Sequence, residues 1–343
     1  MKYWSMLIGT LWCVTAQGQT SPFNGRTVVP PDSAGNYRLL IGGHFHGASS
    51  NASGYPAATL LANIDRVNAT NANALLSTGD LFLRPDRDSA RYAGSLFREL
   101  TIPLFNAPGN HDLEGTAYPA GRVMPVEFSM GQDRVVLLDT ERDDSRVKGD
   151  QLDLLNRLAD RAAATPGTHT FIISHRPIWA EGDARYSDLF EGNTRALFDP
   201  GFQEDVLPIL RRMAKHGEVY WISGSMAGTA PASIFFQPEE KGITYIQSAI
   251  RDEQRDALLI ADVSPNAVRW SAMSLSGQVL RPVETYDAQW WRKNQGRVQE
   301  FHWRRIPYLI KKNVIHPAFS YGLASGVVLM LLVLILRKRG RGK

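Results

Sequence analysis

The sequence predicts a layered α/β body, built either from two β-sheets or from one mixed sheet. Short apolar runs of strand length alternate with segments whose apolar residues recur at helical spacing, and further strand-like runs follow one another late in the chain. With 343 residues, the chain can bury a substantial core. The predicted strands are 37–41, 74–78, 102–106, 170–173, 219–222, 243–249, 257–263 and 268–274.

The same periodicity predicts the helices and the longer connections. Helices are expected over 56–68, over 89–100, from Asp150 onward and over 202–216. Pro208 should kink the last of these. Residues 127–129 and 134–138 resemble a hairpin closed by a Gly-Gln-Asp turn. The irregular, polar segment 179–200 is predicted to be a long surface loop, of the kind that often serves as a lid or a substrate wall.

The N-terminal segment has the pattern of a secretory signal. Lys2 gives a basic start, residues 3–16 are uncharged and too short to cross a bilayer, and small side chains occur at Val14 and Ala16. We therefore predict a signal peptide over residues 1–18. A buried N-terminal strand or helix is the alternative.

The C-terminal segment predicts a membrane anchor. Residues 317–336 form an uncharged apolar run of the length that a helix needs to cross about 30 Å of hydrocarbon. The basic tail 337–343 follows directly. Together with the signal, these features predict one transmembrane helix in the cell membrane, with the globular domain extracytoplasmic (periplasmic or at the cell surface) and the tail cytoplasmic. A buried core helix is the alternative.

The net charge of +4 is unevenly distributed along the chain. From Asp287 onward, twelve Lys and Arg face two acidic residues, so residues 1–286 carry a net charge of −6. No basic patch with interleaved aromatic residues marks the body, which argues against a nucleic-acid partner. Residues 281–316 are predicted to form a juxtamembrane stalk against anionic lipid headgroups, with Trp290 and Trp291 in its aromatic belt. Alternatively, these two tryptophans pack onto the body.

Side chains that can bind metal follow several predicted strands at their carboxyl ends, which is the edge where open α/β sheets bind ligands. They are His44 and His46, Asp80, Asn110, His111 and Asp112, and His175. The only cysteine, Cys13, lies in the predicted signal, so a metal site must use nitrogen and oxygen ligands. Each residue alone has an ordinary structural explanation, but their placement after separate strands predicts one shared site.

The order of these motifs resembles that of the calcineurin-like metallophosphoesterase superfamily, which includes the purple acid phosphatases. The matching blocks are Gly43-His44-Phe45-His46, Gly79-Asp80, Gly109-Asn110-His111-Asp112, Ser174-His175 and Gly224-Ser225-Met226-Ala227, with Leu137-Leu138-Asp139 and Gly149-x-Gln151 as further landmarks. The resemblance covers residues 37–274 and implies a layered α-β-β-α sandwich domain over 36–280.

The resemblance also implies a two-metal site. His44, His46 and Asp80 would bind the first ion, and Asp80 would bridge to a second ion held by Asn110 and His175. Two adjacent cations would activate a hydroxide and neutralise the phosphoryl oxygens.

The resemblance further implies three catalytic residues. His111 would stabilise the transition state or protonate the leaving oxygen, and Asp112 would orient its imidazole. Arg84 would hold a phosphate oxygen. An ordinary surface arginine is the alternative for Arg84.

The chain departs from the family pattern at three of these positions. His44 stands where an aspartate is expected, and Ser225 and Ala227 replace the two histidines of the last block. Each ion would then keep at most three protein ligands, a workable number for a catalytic metal, although the reduced negative charge should lower occupancy. One or two divalent ions, Mn, Fe or Zn, are therefore expected.

The sequence thus predicts a membrane-anchored, externally facing phosphoesterase that hydrolyses phosphate mono- or diesters with divalent metal. The alternative is a catalytically weak or inactive protein of this fold that serves as a binding or scaffold module of the cell envelope. Retention of His111 favours activity, because packing alone gives no reason to keep a reactive imidazole there.

Overall fold

The computed structural model describes residues 19–114, 124–190, 192–196, 200–226, 231, 233–240, 242–294 and 321–330. The chain divides into two compact units, Met1–Asn294 and Gln295–Lys343. The strands and the candidate site belong to the first unit. In the second unit, the structure describes a helix over residues 321–330.

The described strands form two sheets. In chain order they are β1 (Tyr37–Gly42), β2 (Ala74–Ser77), β3 (Leu104–Asn106), β4 (Val126–Met130), β5 (Asp133–Leu137), β6 (His169–Ile173), β7 (Glu218–Ser223), β8 (Ser233–Pro238), β9 (Ile243–Ala249), β10 (Ala257–Ser264) and β11 (Ala267–Ser274). The first sheet has the order β11-β10-β1-β2-β3 and the second the order β4-β5-β6-β7-β9-β8. β1, β2 and β3 are parallel, as are β5, β6, β7 and β9.

The helices of the first unit connect these strands. They are α1 (Ala58–Leu61), α2 (Ile64–Ala69), α3 (Pro85–Tyr92), α4 (Asp150–Ala164), α5 (Ser187–Phe190), α6 (Leu207–Ala214) and α7 (Ala288–Asn294). The helix predicted over 56–68 is therefore two short helices. The segment predicted over 202–216 begins with a wider π-helical turn and continues as α6 with Pro208 in its first turn, where proline is tolerated.

Continuous apolar runs in the strands produce the α-β-β-α layers. Leu39 and Ile41 of β1 face the second sheet, where they join a buried cluster with residues such as Phe171 and Ile222. Leu40, between them, faces the opposite way and packs in the cluster under the helices of the first sheet. The period of two along a strand buries both faces of the sheet. The sequence allowed either two sheets or one mixed sheet, and the structure has two separate sheets.

The segment predicted to be a surface loop over 179–200 contributes to the core instead. Trp179 and Phe190 are fully buried, and the Trp179 ring stacks on Tyr245 with a centroid distance of 4.9 Å. The error arose because charged residues separate the few aromatic side chains, which hides a buried face. Residues 191 and 197–199 lie outside the described residues.

The two tryptophans assigned to a membrane belt pack onto the globular body. Trp291 is 3% exposed, and its indole Nε1 donates a hydrogen bond to the Ile234 carbonyl at 2.9 Å. The ring of Trp290 contacts Trp291, and the Arg255 guanidinium lies over both indoles. The belt interpretation is wrong for these residues, and the body extends to Asn294 rather than ending at residue 280.

No helix within the described residues is long and apolar enough to span a bilayer. The predicted signal over 1–18, residues 295–320 of the stalk and anchor, and the tail 337–343 lie outside the described residues, as do positions 331–336 of the predicted transmembrane run.

Candidate metal centre

The candidate site lies at the carboxyl edge of the parallel strands, where the loops after β1, β2, β3, β6 and β7 meet. His44 and Asp80 both have left-handed backbone, with φ of 52° and 53°. Such a conformation is uncommon for residues with a β-carbon and is concentrated at functional sites. The His44 N–H donates to the Gly79 carbonyl at 2.8 Å, which ties the loop after β1 to the loop after β2.

Three imidazoles converge on one oxygen of Asp80. The Nε2 atoms of His44, His175 and His46 lie 3.4, 3.6 and 4.0 Å from Asp80 Oδ2. Asp80 is 2% exposed and its other oxygen, Oδ1, accepts a hydrogen bond from the His111 backbone N–H at 3.0 Å. Oδ2 is thus the oxygen that Asp80 presents to the histidines.

The structure sorts these side chains into two groups of potential ligands that share Asp80. One consists of His44, Asp80 and His175, and the other of His46, Asp80 and His111. Within each group the ligand atoms lie within 4.8 Å of one another. The pairing predicted from sequence was different, with His44 and His46 on one ion and His175 with Asn110 on the other, and the assignment of these residues as ligands stays a prediction.

Burial dominates the protonation of this cluster. It lowers the pKa of His44 and of His175 well below 6.5, and that of His46 to about 3. It raises the pKa of the Asp80 carboxyl to about 7. Desolvation disfavours the charged form of every group, so the imidazoles are neutral and have a lone pair for a cation.

The polar contacts of His175 fix the nitrogen that faces the site. Its Nδ1 lies 3.0 Å from the Thr78 carbonyl oxygen. A carbonyl only accepts hydrogen bonds, so Nδ1 carries the proton and Nε2 presents its lone pair towards Asp80. This is the usual second contact of a metal-binding histidine. Gly79, with φ of 98°, packs so closely on this ring that a Cβ would overlap it.

The donor set fits a divalent cation. In the part of the chain that the structure describes, His44 Nε2, His46 Nε2 and His175 Nε2 are buried and have no hydrogen-bond partner. Buried polar nitrogens that face a carboxylate without a partner are costly unless something is bound between them. Imidazole and carboxylate together suit Mn, Fe or Zn better than Mg or Ca.

The side chain of Asn110 contacts a buried arginine. Its side-chain oxygen accepts a hydrogen bond from Arg176 Nη2 at 2.7 Å. Ser225, 2% exposed, contacts the same guanidinium, since its Oγ accepts from Arg176 Nη1 at 3.0 Å. Asn110 as a metal ligand stays a prediction, since its oxygen accepts one hydrogen bond from Arg176 and keeps a second lone pair. Ala227 lies outside the described residues.

His111 occupies the more open side of the cluster. Its side chain is 29% exposed, its Nδ1 lies 3.7 Å from a carboxylate oxygen of Glu114, and its ring meets His46 edge-on at a centroid distance of 5.4 Å. An imidazole that is close to the buried ligands and also accessible to solvent is in a suitable place to transfer a proton to or from a substrate.

Asp112 supports the backbone rather than the His111 imidazole. It is fully buried, and its oxygens accept from the Phe82 N–H at 3.1 Å, the Gly109 N–H at 2.9 Å and the Asn106 amide at 2.9 Å. The prediction that Asp112 orients the His111 ring is wrong, because this carboxylate is held by donors of the neighbouring loops.

Arg84 lies at the N-terminus of α3 with an exposed side chain. It lines an open cavity of about 390 Å³ together with Pro85, Asp86, Arg87 and Glu114. Since Glu114 also approaches His111, this cavity adjoins the open side of the cluster. The role of Arg84 in holding phosphate stays a prediction.

Two buried charged residues at the site were missed from the sequence. Arg176, 7% exposed, pairs with Glu141, whose side chain is fully buried. Arg176 follows His175 directly, which was an available signal, but nothing near Glu141 distinguishes it from a surface acid. The landmark residue Gln151 supports the loop before Glu141, since its amide makes hydrogen bonds to both the N–H and the carbonyl of Asp139.

The comparisons with known proteins agree with this arrangement. The family model described as calcineurin-like phosphoesterase matches residues 53–224, half of the chain. The chain therefore belongs to the calcineurin-like phosphoesterase family, a class of phosphate-ester hydrolases. The matched segment contains Asp80, His111 and His175, whereas the departures at His44 and Ser225 lie outside it.

A solved structure of a phosphatase shows the same fold. A dimetal phosphatase from Danio rerio superposes with a TM-score of 0.50 at 14% sequence identity, covering 70% of this chain and 96% of that one. A Vps29 single mutant from Entamoeba histolytica matches with a TM-score of 0.32 at 11% identity, covering 69% and 98% of the two chains. No curated protein matches the chain in sequence.

Acid should destabilise the metal-free protein. The folded-state pKa values of His44, His46 and His175 are below 6.5, so these rings take up protons on unfolding and their stabilising contribution is lost as the pH falls below 6.5. Asp80, whose pKa is raised, acts in the opposite direction because the folded state keeps its proton. Asp112, whose pKa burial also raises to about 7, acts in the same direction as Asp80. Near pH 5 the difference is therefore about one proton, or about 1.4 kcal/mol of unfolding free energy per pH unit.

Urea unfolding in the presence of a chelator, at pH values between about 5 and about 6.5, measures this slope. The variant His46→Gln should remove most of this slope, because it takes one proton out of a net difference of about one. His216 lies just before β7, at the end of that strand away from the site. The variant His216→Gln is therefore the matched control, and it should leave the slope unchanged. Equal slopes in His46→Gln and the parent protein would contradict the conclusion that His46 is neutral in the folded protein and takes up a proton on unfolding.

Proposed function

We propose that this chain is a metal-dependent phosphoesterase that hydrolyses phosphate mono- or diesters. The observation that carries the proposal is the convergence of His44, His46 and His175 on Asp80 Oδ2, next to a partly exposed His111. The family to which the chain belongs supports the substrate class. The imidazole-rich donor set supports Mn, Fe or Zn as the metal.

The residues have distinct roles in this proposal. His44, Asp80 and His175 would hold a divalent cation, which supplies Lewis-acid stabilisation of the charge on a phosphoryl group. His111 lies on the open side of the cluster and would donate a proton to the oxygen of the leaving group. A carboxylate oxygen of Glu114 lies 3.7 Å from His111 Nδ1, on the open side of the cluster.

We also propose that the protein is anchored in the cell membrane with its catalytic domain outside the cytoplasm. The uncharged run 317–336, the basic tail 337–343 and the signal-like residues 1–18 support this topology. Basic residues beside the run would contact anionic lipid headgroups. Protease added to intact spheroplasts should degrade the domain, and protection from protease until the cells are lysed would contradict the orientation.

The test of the activity is turnover of aryl phosphate mono- and diesters by the purified protein with added Mn, Fe or Zn, alongside metal analysis. His111→Ala should lower kcat by about 10²- to 10⁴-fold while metal content is retained, because its role is proton transfer. His216→Ala serves as the control for loss of a histidine. The absence of both bound metal and turnover would contradict the proposed enzyme activity and would favour a binding or scaffold role.

A further inference from the structure

The Arg176 guanidinium links two positions at which the family pattern has ligands of a second metal. One amino group, Nη2, donates to Asn110 Oδ1 at 2.7 Å, and the other, Nη1, donates to Ser225 Oγ at 3.0 Å. Asn110 is the implied ligand, and Ser225 stands where the pattern has a histidine. A fixed positive charge therefore lies where the pattern has a cation.

The guanidinium is held rigidly in this position. Its Nε and Nη2 donate to the two carboxylate oxygens of Glu141, and Nη1 also donates to the Asn193 carbonyl at 3.2 Å. Together with Asn110 and Ser225, these acceptors use every N–H of the guanidinium. The Arg176 backbone N–H is fixed as well, by Thr140 Oγ1 at 2.8 Å. Arg176 thus has no donor left for a mobile ligand, and its role is to occupy this place.

A divalent ion beside Asn110 is disfavoured by charge and by ligands. It would lie next to a buried guanidinium, and the repulsion between like charges is weakly screened in the interior. Asp80 is the carboxylate shared by both potential ligand groups, and Glu141 is already paired with Arg176. One carboxylate and neutral imidazoles compensate one dication far better than two.

We propose that Arg176 takes the place of a second metal ion, and that the site holds one divalent ion bound by His44, Asp80 and His175. This inference rests on the proposed metal-dependent function. His44 supports it, because a neutral imidazole at that position suits a site of lower total charge. Asn110 and Ser225 then act as positioning residues that hold the guanidinium in register with the loops.

Metal stoichiometry tests the proposal directly. Equilibrium dialysis of the full-length protein against Mn²⁺, followed by electron paramagnetic resonance, should give one ion per chain with the spectrum of an isolated Mn²⁺. Two ions per chain with a spin-coupled spectrum would overturn the inference and leave the proposed phosphoesterase activity standing. No bound ion and no turnover would instead overturn the metal-dependent function on which it rests.

A double variant tests whether the guanidinium excludes the second ion. Arg176→Met with Glu141→Met removes the buried pair together, which avoids leaving either charge unpaired. Asn110 is released, and the stoichiometry should rise above one ion per chain. The matched control replaces the exposed pair Arg212 and Asp160 in the same way and should stay at one ion. A stoichiometry of one in both double variants would overturn the role assigned to Arg176.

Discussion

Asp80→Asn is expected to remove the bound metal and to lower kcat/KM for an aryl phosphate by about 10³-fold or more, the scale of several kcal/mol of lost charge stabilisation. Asp80 is the carboxylate in both groups of potential ligands, and its Oδ2 faces three histidines. An amide supplies a neutral oxygen at best, so the remaining ligands would be uncharged.

The same substitution should leave the fold intact. Oδ1 of an asparagine can still accept the His111 N–H, and the variant removes a buried carboxyl whose pKa is raised to about 7 by burial. In the presence of a chelator, the unfolding free energy of Asp80→Asn at pH 8 should equal or exceed that of the parent, since the unpaired buried charge is gone.

Asp65→Asn is the matched control, since it makes the same chemical change at an exposed position on α2. It should retain both metal and activity. Metal content measured by mass spectrometry and steady-state kinetics provide the two readouts. A fully metal-loaded Asp80→Asn protein with activity within about tenfold of the parent would show that the cation is bound elsewhere.

Glu141→Gln should lower the unfolding free energy by about 3–5 kcal/mol, the usual loss when one partner of a buried ion pair is removed. The side chain of Glu141 is fully buried, and its carboxylate receives hydrogen bonds from Arg176 and Arg195. Glutamine keeps the shape but not the charge, so the guanidinium of Arg176, 8% exposed, would remain in the interior without its counter-ion.

Arg195→Ala measures the free energy lost when an exposed partner of Glu141 is removed, for comparison with the loss in Glu141→Gln. Arg195 contacts the same carboxylate but is 48% exposed. Its loss should cost about 1 kcal/mol or less, because solvent screens an exposed charge. Urea titrations at neutral pH compare the two variants. Similar losses for both would mean that Glu141 is not the essential partner of Arg176.

The sequence predicted the strands and the clustering of the histidines with Asp80 well because both leave local patterns. The predicted strand 37–41 matches β1 to within one residue, and 74–78 matches β2 equally closely. A short continuous apolar run is visible in any short window. The convergence of His44, Asp80 and His175 followed from the rule that parallel strands place their carboxyl ends at one edge.

The contacts of the site could not be predicted in the same way. Glu141 and Arg176 are 35 positions apart, and only the packed loops show that they form a pair. The partners of Asp112 were also hidden, since Phe82 belongs to a different loop. Tertiary hydrogen bonds of this kind depend on backbone direction, which neither residue type nor spacing encodes. β8 was missed because Ser233–Pro238 ends in proline, which is uncommon inside strands.

The Asp112 carboxylate has a consequence for the speed and cost of metal exchange. By accepting hydrogen bonds from Phe82 and Gly109, it joins the loops after β2 and β3 into one rigid piece. The ligands are therefore ordered by folding, before any cation arrives, and little conformational entropy remains to be lost on binding. A cation would therefore meet these loops already in place, and its exchange would depend on water leaving the ion more than on motion of these loops.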